Sequence, residues 1–218
     1  MADPAPATEN NEARRIQMLR AAAELVCERG FSETRISDVA KRAGVSSALV
    51  IYYFGTRDRL LVDALRYSEE SFYEAAEQML AEIPSVHERL SLLTQWTCVP
   101  GPDVAGPAAP GTHNEIPGAW GLWFDLWAQA FRHDEVRAGR VELDARWRRM
   151  IVDAVESADL DVDARMFALE FSALLDGLSI QVALEDPEVD SKVAYDIAMR
   201  FAERELNLPA DRKRAKAR

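Results

Sequence analysis

Four short side chains open a predicted helix within residues 35–57. They are Ser46, Ser47, Ala48 and Leu49. Side chains of this size at the amino end of a helix can reach base edges in the major groove of DNA. Lys41, on the exposed side of the preceding predicted helix, could contact a phosphate, although a purely solubilising role fits it equally well. The stretch is therefore a candidate for contact with bases.

Two short helices must position these side chains. The first is predicted from Ser37, whose hydroxyl is a good N-cap, to Ala43. Gly44 follows where the chain leaves the helix with a positive φ. The second helix is capped by Ser46 or Ser47, and Tyr53 and Phe54 are expected to pack it onto its neighbours. A helix, a glycine-containing turn and a second helix are typical of the helix-turn-helix motif.

The segment RISDVAKRAGVSSALVIYYFGTRDRLL closely resembles the DNA-binding region of the TetR family of bacterial transcriptional regulators. The resemblance implies that the helix beginning near Ser46 reads bases with its first half. It also implies that four further residues touch or face the DNA backbone: Arg35, Ser37, Tyr52 and Arg57. Ile51 departs from the pattern, because many members carry there an aromatic residue with a phosphate-facing hydroxyl.

Apolar residues at helical spacing predict helices along the rest of the chain and no strands. The predicted segments are residues 12–29, 57–81, 84–96, 120–131, 134–157, 163–185 and 189–206. Residues 97–119 contain five prolines and are predicted to form a loop. We therefore expect an all-α fold, in which an N-terminal three-helix helix-turn-helix domain is joined to a C-terminal helical domain for ligand binding and dimerisation. The expected divisions are a disordered arm (1–11), the DNA-binding domain (12–56), the helical domain (57–208) and a basic tail (209–218).

The C-terminal region is unusually rich in large aromatic rings. Such rings at helical spacing could simply fill a core, but with nearby carboxylates they could also bind an organic cation. The segments LWFDLWAQAFRHDEVR and FSALLDGLSIQVAL are similar to the BetI-type ligand-binding domain, which favours a quaternary ammonium or polyamine effector. Asp176 could instead be structural. The candidate pocket residues are Trp96, Trp120, Trp123, Phe124, Trp127, Trp147, Glu170, Phe171 and Asp176.

The last two predicted helices, about 163–185 and 188–206, carry more apolar surface than one subunit is expected to bury. In TetR-like proteins the corresponding pair forms a four-helix bundle between two subunits. A homodimer would also read a palindrome, because its two-fold axis repeats the reading helix.

Composition limits the other classes of function. The net charge is −11, yet residues 1–60 hold nine lysines and arginines against eight acidic residues, so the remainder carries −12. Two cysteines and three scattered histidines give no metal-ligand spacing, and no catalytic constellation is present, so we expect neither a cofactor nor an enzyme. Cys27 is interpreted as a core residue, and Cys98 as either unreactive or a redox sensor. With no signal peptide and no run of eighteen apolar residues, we expect a cytoplasmic protein without a membrane helix.

Two hypotheses follow from these observations. The first is a ligand-responsive repressor that a small-molecule inducer releases from a palindromic DNA operator. The second is a ligand-independent dimeric DNA-binding protein, whose C-terminal domain only dimerises. A fully packed aromatic core would favour the second.

Overall fold

A computed structural model describes residues 5–98 and 119–209, and over these ranges the fold is all-α, with no strand. The nine helices of the described ranges follow in chain order. They are α1 (Ala5–Arg29), α2 (Ile36–Arg42), α3 (Ser47–Phe54), α4 (Arg57–Ala81), α5 (Val86–Cys98), α6 (Ala119–Ala130), α7 (Asp134–Glu156), α8 (Ala164–Ala183) and α9 (Ser191–Glu205). The predicted all-α class is confirmed.

Caps explain where several helices begin. Ser46 accepts from the Leu49 amide at 3.2 Å and so starts α3. Thr56 does the same for α4 through the Arg59 amide, also at 3.2 Å. Asp163 caps α8 through the Met166 amide. These hydroxyls and carboxylates satisfy amides that have no partner within the helix.

Three expected helix starts are wrong. The N-cap of α2 is Arg35 rather than Ser37, and its side chain makes no capping hydrogen bond. Helix α5 begins after Pro84, where Ser85 accepts from the Glu88 amide at 3.3 Å. The arm expected over residues 1–11 is helical from Ala5 onward and continues α1. The loop expected at 97–119 and the basic tail lie outside the described residues, except for their outermost positions.

The described residues fall into two compact units. The first contains the parts of Met1–Glu74 and Pro110–Asp144 that the structure describes, and the second contains those of Ala75–Ala109 and Ala145–Arg218. In the first unit, one core joins α1, α2 and α3 to the beginning of α4, with Leu126 of α6 and Val136 of α7. The beginning of α4 belongs to this core, whereas the predicted boundary after residue 56 separates α4 from α1, α2 and α3. The domain boundary stays a prediction.

The second unit is built on α5, α8 and α9, which pack against one another. Phe167, Phe171 and Phe201 form a stack of three rings, with the first two centroids 5.3 Å apart. The sequence predicts no membrane helix, but by length and hydropathy alone α8 could cross a membrane. Eight of its 20 residues are buried.

Candidate functional site

Helix α3 exposes one face. Ser47, Ala48, Ile51 and Tyr52 are exposed along it, while Val50 and Phe54 are buried in the core. The predicted base-contacting residues thus lie on the outward side, with Ser46 exposed at the cap and Leu49 half-buried. The preceding turn places Gly44 at a φ of +63°, which glycine adopts without strain. This geometry leaves α3 accessible to the major groove of DNA.

The predicted backbone-contacting residues of α2 are also accessible. Arg35, Ser37 and Lys41 are all exposed. Arg42, by contrast, forms a bidentate ion pair with Glu28 at 2.6 and 2.8 Å, and this hydrogen bond lowers the pKa of Glu28. The phosphate-binding roles of the exposed residues stay predictions.

Arg57 is occupied within the protein. Its Nε donates to the Thr34 carbonyl oxygen at 2.7 Å, and its Nη2 donates to the Phe31 carbonyl oxygen. Nη1 pairs with Asp58 at 2.7 Å, and the guanidinium lies 5.1 Å from the centroid of the Phe31 ring. The side chain therefore ties the α1–α2 connection to the start of α4, and its predicted phosphate contact remains untested.

Helix α6 also forms hydrogen bonds to the connection between α1 and α2. Asp125 accepts from the Phe31 amide, and Gln129 donates to Ser32 at 3.4 Å. Gly30 lies beside this carboxylate at a φ of +84°, a backbone conformation that glycine adopts without strain. Residues 30–34 are thus held jointly by α4 and α6.

The aromatic residues of α6 form a cluster. The ring centroids of Trp123 and Trp127 are 4.6 Å apart, and Phe124 lies 5.8 Å from Trp123 and 6.4 Å from Trp127. All three side chains are half-buried. The side chain of Trp120 lies outside the described residues. Partial exposure distinguishes these rings from fully packed core residues.

A cation already lies over this cluster. The guanidinium of Arg140 stands 5.4 Å from the centroid of the Trp123 ring. It pairs with Glu69 at 3.0 Å and with Asp144, whose Oδ1 accepts from its Nε at 2.8 Å. The side chains of Arg140 and Glu69 are 4% and 5% exposed, so the pair is shielded from water. A ring and two carboxylates therefore bind a positive charge inside the first unit.

Burial and charge act oppositely on this pair. Burial raises the pKa of Glu69, while Arg140 lowers it, and the balance lies above the usual value of a glutamate. Burial lowers the pKa of Arg140, but Glu69 and Asp144 raise it by more, so the guanidinium stays charged. Arg140 therefore stays protonated, and Glu69 is the member of the pair whose protonation can change with pH.

A groove lies beside the cluster. Its volume is about 280 Å³, and it is lined by Trp127, Ala130, Phe131, Arg137, Arg140, Val141 and Asp144. Phe131 is 86% exposed just beyond the end of α6. The groove thus offers aromatic and aliphatic walls with one carboxylate and two guanidinium groups.

Five of the predicted pocket residues belong to the second unit. Trp96 is buried, Trp147 and Asp176 are half-buried, and Glu170 is exposed on α8. Phe171 is fully buried in the three-ring stack, so its surface is used in packing. Their assignment to a ligand pocket stays a prediction.

The cysteines are shielded. Cys98 is fully buried, and burial, followed by the charge of Asp176, raises its pKa to about 12. Burial also raises the pKa of Cys27 to about 11, with Glu28 and Glu24 adding to the effect. Neither thiol is a thiolate near neutral pH, which argues against a redox sensor. No metal-binding cluster occurs in the described ranges.

Sequence reasoning missed the residues that organise this site. Glu69 and Arg140 are 71 positions apart, and no local pattern links them. Asp144 could have been anticipated, because it follows Arg140 by four residues in a helix. Asp125 contacts the Phe31 amide across 94 positions, and no local pattern predicts that contact.

An accessible short helix after a glycine turn, carried on an all-α scaffold, defines a helix-turn-helix DNA-binding protein. Residues 18–64 match the family model described as "Bacterial regulatory proteins, tetR family". Residues 110–207 match that of "BetI-type transcriptional repressor, C-terminal". The chain belongs to the TetR family of transcriptional regulators and has a BetI-type C-terminal region.

Individual relatives agree with this membership. The HTH-type transcriptional regulator BetI of Yersinia pestis (strain Pestoides F) is 27% identical over 206 residues, covering 89% of this chain and 93% of the relative. A putative transcriptional regulator from Saccharomonospora viridis, solved in complex with choline, is 26% identical with a TM-score of 0.71, covering 88% and 96% of the two chains. A putative TetR-family regulator from Rhodococcus sp. is 25% identical, also with a TM-score of 0.71, covering 89% and 99%.

The role of Arg57 can be measured through stability. Arg57→Ala leaves the carbonyl groups of Phe31 and Thr34 without their donor, so we expect the free energy of unfolding to fall by about 2–3 kcal/mol. Arg59→Ala, at an exposed position two residues away, should change it by less than about 0.5 kcal/mol. Urea titrations of both variants provide the comparison, and equal stability of the two would contradict the structural role.

The ionisation of Glu69 predicts a pH dependence. Because its pKa is higher in the folded state, wild type loses stability as pH rises above the unfolded value, about 4.5. Glu69→Gln cannot ionise and lacks this loss. The free energy of unfolding of Glu69→Gln minus that of wild type should therefore increase between pH 4.5 and pH 8. Urea titrations of both proteins across this range test the prediction. A difference in free energy of unfolding that stays constant with pH would contradict the raised pKa of Glu69.

Proposed function

We propose that this TetR-family regulator is a dimeric repressor that an organic cation releases from a palindromic operator. The observation that carries the ligand class is the half-buried cluster of Trp123, Phe124 and Trp127 on α6, because aromatic faces attract organic cations. The alternative is a dimeric DNA-binding protein that responds to no ligand. The half-buried rings and the open groove favour the first function.

On the DNA side, the proposed contacts use the exposed positions of α2 and α3. Ser46 to Leu49 approach base edges, while Arg35, Ser37, Lys41 and Tyr52 approach phosphates. Few cations are available for this task, because Arg42 and Arg57 are engaged within the protein. Phosphate contacts place the helix, and base contacts select the sequence.

The proposed effector is a small quaternary ammonium ion or a polyamine, bound in the groove beside Trp127. There it would meet Trp127 and Phe131. The two guanidinium groups of the groove are each paired with a carboxylate, Arg140 with Asp144 and Arg137 with Asp134. Cation–π attraction strengthens when water is excluded. The choline complex of the Saccharomonospora viridis regulator supports this ligand class.

Coupling between the groove and the reading helix has a direct physical route within the first unit. Helix α6 carries both the groove residue Trp127 and Asp125, which holds the Phe31 amide. A shift of α6 would therefore move residues 30–34, which lead into α2. Effector and operator then oppose each other by the same factor, whichever binds first.

The proposed dimer forms through α8 and α9. Helix α8 is apolar on the side opposite its buried face, where Met166, Leu169, Ile180 and Leu184 are between 38% and 76% exposed. Gly177 lies on the same stripe, and a Cβ there would meet nothing within 4 Å. An exposed apolar stripe of this length fits a two-fold contact with a second copy.

Choline tests the proposed function directly. The operator would first be located by footprinting on the DNA upstream of the chain's own gene. We expect saturating choline to weaken operator binding by roughly 5- to 150-fold, the usual range of coupling between two sites. Fluorescence anisotropy of the labelled operator at fixed ionic strength measures this change. Spermidine serves as the polyamine probe.

Two controls separate the ligand chemistry from nonspecific effects. The uncharged analogue 3,3-dimethylbutan-1-ol has the shape of choline and should leave operator affinity unchanged. Trp127→Leu removes about 2 kcal/mol of cation–π attraction, so it should require roughly 30-fold more choline. Operator affinity that no cation alters would favour the ligand-independent alternative.

The dimer interface predicts a monomeric variant. Leu169→Glu places a carboxylate at the centre of the proposed contact on both subunits, which should cost about 3–5 kcal/mol per buried unpaired charge. Arg149→Glu introduces the same residue at an exposed position of α7 and should leave the dimer intact. Analytical ultracentrifugation distinguishes the two, and a dimeric Leu169→Glu would rule out this face.

A further inference from the structure

We propose that Ile51, together with Ala48, reads the 5-methyl groups of thymine in each half-site. This inference rests on the proposed DNA-binding role of α3 and names the chemical groups that the helix recognises. Ile51 thus becomes a specificity-determining residue, although the family resemblance assigned it no contact.

Exposure is the first observation. Ile51 is 49% exposed and Tyr52 is 82% exposed, so two large apolar side chains stand next to each other on a helix of eight residues. The remaining large apolar residues of α3 are half-buried or buried. Ala48 precedes Ile51 by one helical turn on the same face. The result is a small apolar surface at the part of the helix that faces outward.

The second observation is that α3 lacks the side chains that form paired hydrogen bonds with bases. Between Ser46 and Gly55 the sequence contains no arginine, lysine, asparagine or glutamine. These are the residues that recognise guanine and adenine through paired hydrogen bonds. The only base feature that an isoleucine or alanine side chain can favour in the major groove is the thymine methyl group. The composition of α3 therefore points to thymine rather than guanine.

Neighbouring contacts define the position of this apolar surface. Val50 and Phe54 anchor the opposite side of α3 in the core, and Gly55 ends the helix at a φ of +74°. The Tyr52 ring packs edge-on against Tyr53, with centroids 5.6 Å apart. Tyr53 in turn donates to Asn11 at 3.1 Å. Ile51 is therefore presented on a helix that is fixed on its inner side.

The size of the effect follows from burial of one methyl group. Removing a buried methyl group from an apolar contact weakens binding by roughly fourfold. A palindrome presents the contact twice, so the combined loss on a full operator should be about 15-fold. Both factors are within the range of a standard affinity measurement.

The experiment replaces thymine by deoxyuridine, which lacks only the methyl group. Wild-type protein first selects duplexes from a random DNA pool, and the selected palindrome is resynthesised with one thymine per half-site changed at a time. Affinities of wild type and of Ile51→Ala are then measured on every duplex at one salt concentration. Thymines outside the protected bases provide matched control substitutions.

We expect one symmetrical position at which deoxyuridine weakens wild type by about 15-fold, given the methyl contribution above. Ile51→Ala should bind the thymine duplex more weakly and lose little further affinity at that same position. Circular dichroism and thermal unfolding verify that the variant is folded. The wild-type measurements with deoxyuridine do not depend on the variant at all.

Three outcomes overturn the inference. The first is wild-type affinity that no deoxyuridine substitution changes. The second is an equal loss in wild type and Ile51→Ala at every position, because the side chain and the methyl group would then act independently. The third is a selected half-site without thymine among its protected bases. Failure to select any duplex would instead remove the proposed function itself, and this inference with it.

Discussion

Arg57 is the interaction on which the first unit depends. Helix α2 has seven residues and no side-chain cap, so it cannot hold its own position. The chain that leads into it is fixed because Arg57 binds the carbonyl oxygens of Phe31 and Thr34. The same guanidinium lies over the Phe31 ring, which is buried in the core. Arg57 thus fixes the connection into α2, while the packing of α2 and α3 in the shared core completes their placement.

Helix α6 holds the same connection from another side. Asp125 holds the amide of Phe31 while Arg57 holds its carbonyl, so both peptide groups of one residue are bound by different helices. The aromatic rings of α6 lie on the same helix as Asp125. The half-buried rings and the contact to Phe31 therefore belong to one helix.

Charge is distributed unusually in the first unit. The outward residues of α3 carry no formal charge, whereas Arg140 and Glu69 are buried in an ion pair. A buried pair of this kind contributes little net stability, because desolvation opposes the attraction. The ion pair instead fixes the position of α7 against α4, beside the Trp123 ring. The exposed face of α3 thus offers hydroxyl groups and apolar surface rather than charged side chains.

The sequence by itself determined the all-α class and the helix-turn-helix, because these depend on local periodicity and one glycine turn. It determined the family through the resemblance of residues 35–61 to known members. The bounds predicted for α4 are those of the structure, and Ser46, the N-cap of α3, is one of the two residues predicted for that position. Only the tertiary structure decided that Arg57 binds carbonyl groups and that Arg140 pairs with Glu69. Such contacts join residues far apart in the chain, and which partners meet depends on the packing of whole helices rather than on any local pattern.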